Sequence, residues 1–221
     1  MAFSKETVRF LAGLQAHNKK EWFEAHRGDY EAHYVAPAKA FVEAIGPKLA
    51  KLDPGVHAEP RVNGSILRIN RDVRFSKDKS PYKDHLDLWF WSGEDKGWEC
   101  SGFYFRLGAK ELVLGAGMHG FATPVLERYR AAVLDDEAGR ALEKAVARVR
   151  KAGYEIGGQT YKKPPRGVAA DHPRADLLRH SGMYATWKGK HPRELGSPGL
   201  VALAAKHYAA MAPLHQWLRG L

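Results

Sequence analysis

A chain of 221 residues with 44% hydrophobic and 27% charged side chains has the composition of a folded protein, so an intrinsically disordered chain is excluded and one domain over 1–221 is expected. Its single cysteine, Cys100, excludes an internal disulfide and every cysteine-based zinc cage, and no apolar run reaches the roughly 18 residues of a membrane span. The net charge of +10 sits in two places: residues 68–83 hold six basic and two acidic side chains (+4), residues 148–193 hold eleven and three (+8), and the rest of the chain sums to −2.

The first 58 residues read as helical. Ser4 is placed to cap a first helix, with Phe3 and Val8 as a hydrophobic staple and Phe10, Leu11 and Leu14 facing inward. That helix should stop near Asn18, which then caps a second helix carrying Glu21, Trp22 and Phe23. Helical character resumes at Asp29 with a break at Pro37, and ends at Gly46-Pro47 or at the turn Asp53-Pro54-Gly55.

From 62 to 120 the period becomes two. Ile66-Leu67-Arg68-Ile69, then Leu86, Leu88 and Phe90, then Phe103, Phe105 and Leu107 read as strands. Leu112-Val113-Leu114 follows so closely that it must pair antiparallel with the strand before it, and a second hairpin is expected around Ser92-Gly93. The fold class is therefore α+β, an antiparallel meander packed by N-terminal, middle and C-terminal helices. Thr123-Pro124 opens a helix running to about Val149, residues beyond it read as a loop-rich basic segment, and a last helix starts at about Pro198 with Leu200, Leu203, Ala204 and Tyr208 on one face.

The densest local signal is Arg68-Ile69-Asn70-Arg71-Asp72-Val73-Arg74-Phe75-Ser76-Lys77-Asp78-Lys79-Ser80-Pro81-Tyr82-Lys83. It fits R-x-x-R-D-x-R-F-x-x-x-[DN]-K-x-x-Y at every fixed position. In this motif, and in Asn18 and Glu21-Trp22-Phe23, the chain resembles a widespread bacterial family of conserved proteins of unknown function. The resemblance extends over nearly the whole length and implies a family hallmark without naming an activity.

Were the strand at Ile66 to continue through the motif, Arg68, Asn70, Asp72 and Arg74 would line one face. Guanidinium groups bind phosphate or carboxylate bidentately, so Arg68, Arg71, Arg74 and Lys79, with Tyr82 as a further donor, are the expected anion-binding set. Asp72 and Asp78 would orient the arginines or act as a base or metal ligands, making Asp72 and Tyr82 candidate catalytic groups. The same residues also fit an ion-pair network that staples strand to helix with no ligand at all.

Gly115-Ala116-Gly117-Met118-His119-Gly120 spells G-x-G-x-x-G but follows the second arm of a hairpin, so crowding of the backbone is expected in place of a dinucleotide site. His119, at a strand end, is a third catalytic candidate. Eleven histidines show no metal-ligand spacing, and His26 with His33, and His207 with Met211 and His215, read as helix surface or boundary positions. Cys100, beside Glu99, reads as inert. No cofactor signature, G-x-S-x-G elbow or Walker loop is present. The second basic segment, Tyr161 to Arg166 with Lys188, Lys190 and Arg193, interleaves charge with Tyr154, Tyr161, Tyr184 and Trp187, a mixture suited to stacking on bases or to pinning a loop into a core.

Three functions follow: binding of, or catalysis on, a small phosphorylated or otherwise anionic ligand; nucleic-acid binding by both basic segments; or a non-catalytic role with the motif as ion-pair network. A cytoplasmic protein with no membrane partner is expected, and the sequence leaves oligomeric state and enzymatic character open.

Overall fold

Why the N-terminal residues form helices is visible at their caps. In the computed structural model, which describes residues 3–93, 97 and 100–221, the Ser4 hydroxyl accepts from the Glu6 amide while Thr7 closes the reciprocal bond to the Ser4 backbone. Helix α1 (Lys5–Ala16) follows, with Phe10, Leu11 and Leu14 buried. Next come α2 (Lys20–Ala25) and the short α3 (Arg27–Asp29), then a π-helical turn over Tyr30–Val35 that runs directly into α4 (Ala36–Ala50). Pro37 thus does not break the chain. It occupies the first turn of α4, where a missing amide hydrogen costs nothing.

Strands β1 (His85–Trp91), β2 (Gly102–Gly108) and β3 (Glu111–Met118) follow, the last two joined through Ala109-Lys110 as a tight hairpin. The β1–β2 connection spans residues 92–101 and is closed by the Ser92 amide donating to Ser101 O. After α5 (Thr123–Leu134) and α6 (Asp136–Lys151) come β4 (Glu155–Gln159), β5 (His180–Lys190) and finally α7 (Gly199–Arg219). The antiparallel sheet has the order β1-β2-β3-β5-β4, so the class is α+β and its first three strands form the expected meander. The 150–197 stretch, expected as loop, contributes two strands. Asp135 divides the expected middle helix, its carboxylate accepting from the amides of Glu137 and Ala138. Thr123 is the first helical residue of α5, and Ala122 stands at the cap position.

The chain forms two compact units. One comprises 1–90, 104–114 and 188–206; the other comprises 91–103, 115–187 and 207–221. The core of the first is aromatic: Phe3 stacks against Phe105 at 5.5 Å and Phe41 against Phe105 at 4.8 Å, while Phe10, Tyr30 and Tyr34 pack together. In the second, Tyr129, Phe103, Tyr208 and Met183 are fully buried. His215, expected at a helix surface, is fully buried there, with the Ser101 hydroxyl 2.8 Å from its Nδ1. Gly117 has a φ of 131° and sits against the Met183 carbonyl and Tyr184 Cα with no room for a Cβ. The glycine run is thus a close backbone approach of β3 to β5. Among the described residues, no helix is long and apolar enough to cross a membrane.

Candidate functional site

The motif does not continue as a strand. Residues 65–67 pair with the edge of β1: the Leu67 amide donates to Asp87 O and the Trp89 amide to Ser65 O. The chain then doubles back on itself. The Arg71 amide donates to Pro81 O at 2.9 Å and the Lys83 amide to Ile69 O at 2.8 Å, closing an irregular loop between them. Polar side chains brace that loop from inside. Asp72 accepts from Nε of Arg74 at 3.0 Å and from Nη2 at 2.6 Å; Asp78 accepts from the Ser80 amide and hydroxyl and from Nη1 of Arg71; Lys79 donates to Val73 O at 2.9 Å. The Ser80 donors, followed by Arg71, hold the Asp78 carboxyl down at about 2, and Arg74 lowers that of Asp72. Both acids are ionised at neutral pH.

At the base of the loop lies an interaction the sequence placed elsewhere. Asn18, expected to cap α2, instead clamps Tyr82: its Nδ2 donates to Tyr82 O at 2.9 Å and its Oδ1 accepts from the Tyr82 amide at 3.0 Å. Lys19 occupies the cap position. The Tyr82 ring is buried and stacks on Phe23 at 4.3 Å. Burial raises the pKa of its hydroxyl.

The expected anion-binding set thus divides. Arg71 and Arg74 are taken up by carboxylates of their own loop and Lys79 by a carbonyl, while Arg68 is exposed and forms no hydrogen bond or ion pair among the described residues. Phe75, at the loop's tip, is 95% exposed, where a continuing strand would have turned it inward.

Where the motif runs into β1 it delivers Lys83 and His85 to a buried carboxylate, Asp87, which is 3% exposed. Asp87 Oδ1 accepts from the Tyr104 hydroxyl at 2.6 Å and from Arg106 Nε at 2.7 Å; Oδ2 accepts from Arg106 Nη2 at 3.1 Å, with His85 Nε2 at 3.2 Å and Lys83 Nζ at 3.7 Å. Strand alternation explains the convergence. Leu86, Leu88, Phe103, Phe105 and Leu107 share the face that carries the core, which puts His85, Asp87, Tyr104 and Arg106 on the opposite face of two paired strands.

Burial alone would raise the Asp87 carboxyl, but the bonds from His85 and Arg106 outweigh it and hold the group well below the usual carboxylate range. Burial beside that anion pushes the Tyr104 hydroxyl far up. For Lys83, burial favours the neutral amine, partly opposed by Asp87 and reinforced by the positive charges of Arg106 and Arg68. Asp87, ionised with its lone pairs occupied, is a fixed anchor unsuited to taking up a proton. Tyr104 is a fixed donor.

A cleft of about 300 Å³ opens beside this cluster, lined by Gln15, Asp84, His85, Arg106, Lys110 and Glu111 among others. Gln15 Nε2 donates to Asp84 at 3.3 Å, and Glu111 is paired with Lys188 at 2.8 Å. His85 Nδ1 lies 2.8 Å from Asp84 Oδ1, so the ring stands between two carboxylates; an imidazolium donates to both, a neutral ring to only one. The Arg106 side chain is 40% exposed, and its Nη1 is free of hydrogen bonds among the described residues. Lys110 is exposed and unpaired among them.

His85, Asp87, Tyr104, Arg106 and Lys110 were not singled out from the sequence, although the signal was there. In two strands identified by their period, the alternate positions carried Asp87 and Arg106, charged residues opposite one another on a face that should be either solvated or paired.

Of the second basic segment, Lys188, Lys190 and Arg193 belong to the first unit, whereas its aromatic residues and His119 lie in the second. His119 is exposed and stacks on Tyr184 with ring centres 5.2 Å apart. Tyr154 bonds His207 Nδ1 at 2.9 Å and Trp187 packs on the same imidazole, so three of the four aromatics of the second basic segment are engaged by histidine rings. Tyr161 is 40% exposed under the Arg130 guanidinium. Glu99 lies outside the described residues. Among those that are described, no three His, Cys, Asp or Glu side chains group in a way that could hold a metal ion.

Compared with known families, residues 6–217 match the model of one described as "Conserved hypothetical protein (DUF2461)". No curated protein matches the chain.

Proposed function

We propose, for a chain that belongs to the DUF2461 family of conserved hypothetical proteins, that the first unit binds a small molecule through a carboxylate or phosphate group, at the cleft beside Asp87. The observation that carries this reading is the state of Arg106. Two of its nitrogens are fixed on a buried carboxylate at 2.7 and 3.1 Å while Nη1 has no partner among the described residues. A guanidinium immobilised on one edge presents its other edge already oriented, so little side-chain freedom is lost when an anion arrives. Lys83 and Arg106 offset the carboxylates of Asp87 and Asp84, Lys188 offsets Glu111, and Lys110 leaves an excess of one positive charge before His85 is counted. Lys110 adds a mobile cation at the rim.

The motif serves this site as its frame. Its internal ion pairs fix the loop, Asn18 fixes Tyr82, and Lys83 is thereby delivered to Asp87. Anion binding by this protein thus rests on Arg106 and Lys110 in place of Arg71, Arg74 and Lys79.

Thermal-shift titration with inorganic phosphate, sugar phosphates, nucleotides and dicarboxylates tests the proposal. A ligand at about 100 times its dissociation constant should stabilise the protein by about 2.7 kcal/mol. Lys110→Ala, which removes an exposed and unpaired group, should leave the unliganded melting temperature unchanged and raise the dissociation constant about 5- to 10-fold, in keeping with the modest worth of an exposed charge. Saturable binding that Lys110→Ala and Arg106→Lys both leave intact would place the site elsewhere.

A further inference from the structure

Phe75 is left in water by a loop that spends many bonds on holding it there. It is 95% exposed at the tip of a segment fixed by Asp72 on Arg74, Asp78 on Arg71 and Ser80, and Lys79 on Val73 O. Slack loops can fold an aromatic side chain back onto the surface; this one is braced against doing so. The Arg74 guanidinium lies over the ring, 5.8 Å from its centre, and is itself locked on Asp72 through Nε and Nη2 at 3.0 and 2.6 Å. At that distance the guanidinium lies at the outer limit of such a contact, and the ring's faces stay open to solvent.

We propose that this loop is a stacking site for single-stranded nucleic acid, with a base on an open face of Phe75 and phosphates on the free cations of the same segment. Stacking on an aromatic side chain is the contact that unpaired bases make regardless of sequence. The phosphates require charge that is not already spent. Arg68 and Lys77 are exposed and free of hydrogen bonds or ion pairs among the described residues, in a segment of net charge +4 on a chain of +10.

Charge also ranks the other occupants below this one. A second copy of the chain would bring the same +10 and be repelled. A lipid surface would gain one ring and the two free cations Arg68 and Lys77, short of the roughly four or more basic side chains that hold a protein on an anionic membrane. Among the described residues the loop sets no side-chain donor or acceptor beside the Phe75 ring to read base edges, so the site discriminates single strands from duplexes and not one sequence from another.

Fluorescence anisotropy with the full chain and labelled oligothymidylate or oligouridylate of about 12 nucleotides, a length within the usual site size, tests the proposal across a salt series. Phe75→Ala should weaken binding about 5- to 100-fold, the worth of one stacked base, and leave the melting temperature unchanged. Phe75→Trp should restore it. Lys77→Ala should reduce the slope of log affinity against log salt by about one, whereas Phe75→Ala should leave that slope alone. Comparing the two oligomers distinguishes DNA from RNA as the source of the strand. Equal binding by Phe75→Ala and wild type, equal binding of abasic or duplex probes, or Phe75-dependent binding of phosphatidylserine vesicles without oligonucleotide binding would each overturn the proposal. Because Lys110 and Arg106 play no part here, Lys110→Ala separates failure of this site from failure of the cleft.

Discussion

Replacing Asp87 by Asn should be the most destructive conservative substitution in the first unit. The side chain keeps its shape, yet one of its two oxygens becomes an amide nitrogen. Oδ1 could still accept from Tyr104 and Arg106 Nε, but the amide would then turn its hydrogens toward Arg106 Nη2 and Lys83 Nζ, both cationic donors, now 3.1 and 3.7 Å away. Two charges would lose the one buried counter-ion they have among the described residues. Removing one partner of a buried ion pair costs about 3–5 kcal/mol; the 40% exposure of the Arg106 side chain argues for the lower half of that range, because water can reach part of the guanidinium. For a chain of this size that corresponds to a fall of roughly 6–16 °C in melting temperature. The pH dependence gives a second, independent arm. The folded-state pKa of Asp87 lies below its unfolded value, so the stability it contributes is present above about pH 4 and lost as pH falls through the folded value. The gap between wild type and Asp87→Asn, followed by urea unfolding from pH 7 to pH 2.5, should therefore shrink on the acid side. A loss under about 1 kcal/mol at pH 7, or a gap that does not change with pH, would refute the idea that Asp87 anchors the cluster as an anion.

Two further substitutions test how the motif is held. Asn18→Ala should cost about 1–3 kcal/mol by leaving both backbone groups of Tyr82 without their partner, and hydrogen exchange should show faster exchange at the Tyr82 amide while the α1 core amides are unaffected. Arg71→Ala should cost about 1–2 kcal/mol in urea unfolding, because Asp78 is 61% exposed and leaves the ion pair open to water on that side, while the bond to Ser80 O is lost as well; isothermal titration should find phosphate binding at the cleft unchanged, since that side chain is committed to its own loop.

What the sequence revealed and what it hid follow from where the information resides. The cap at Ser4 and the β2–β3 hairpin were legible because each is local: a capping box needs four residues and a tight hairpin needs two strands and a turn. Strand β4 was not, since Glu155-Ile156-Gly157-Gly158-Gln159 offers one aliphatic side chain and two glycines, and none of its residues is buried. Gly157 is there because the Tyr184 ring occupies the space a Cβ would need, which is a demand of the partner strand that period and propensity do not express. β5 is disguised in the same way, with Met183 and Ala185 buried in a stretch whose other residues are polar, small or half-exposed. Asn18 illustrates the same limit. Its spacing from Glu21 is that of a cap, and only tertiary structure shows that the Tyr82 backbone competes for the same amide and wins two hydrogen bonds.

From sequence the arginine motif reads as a row of ligands, because an excess of bases over acids suggests charge without a partner. The excess is real, but its location is set by which cations the two aspartates can reach. Asp72 is two residues from Arg74, and Asp78 meets Arg71 once the chain has doubled back, so the central pairs neutralise each other. Unpaired charge is thereby displaced to Arg68 and Lys77, and Lys83 is carried to Asp87. The loop's two ends thus come to serve different purposes. Its tip holds an aromatic ring in solvent, and its base sets a lysine beside a buried carboxylate that orients Arg106. Substitutions at the tip should therefore act on what meets Phe75 without disturbing the cleft, whereas loosening the base, through Asn18 or Tyr82, should be felt at both.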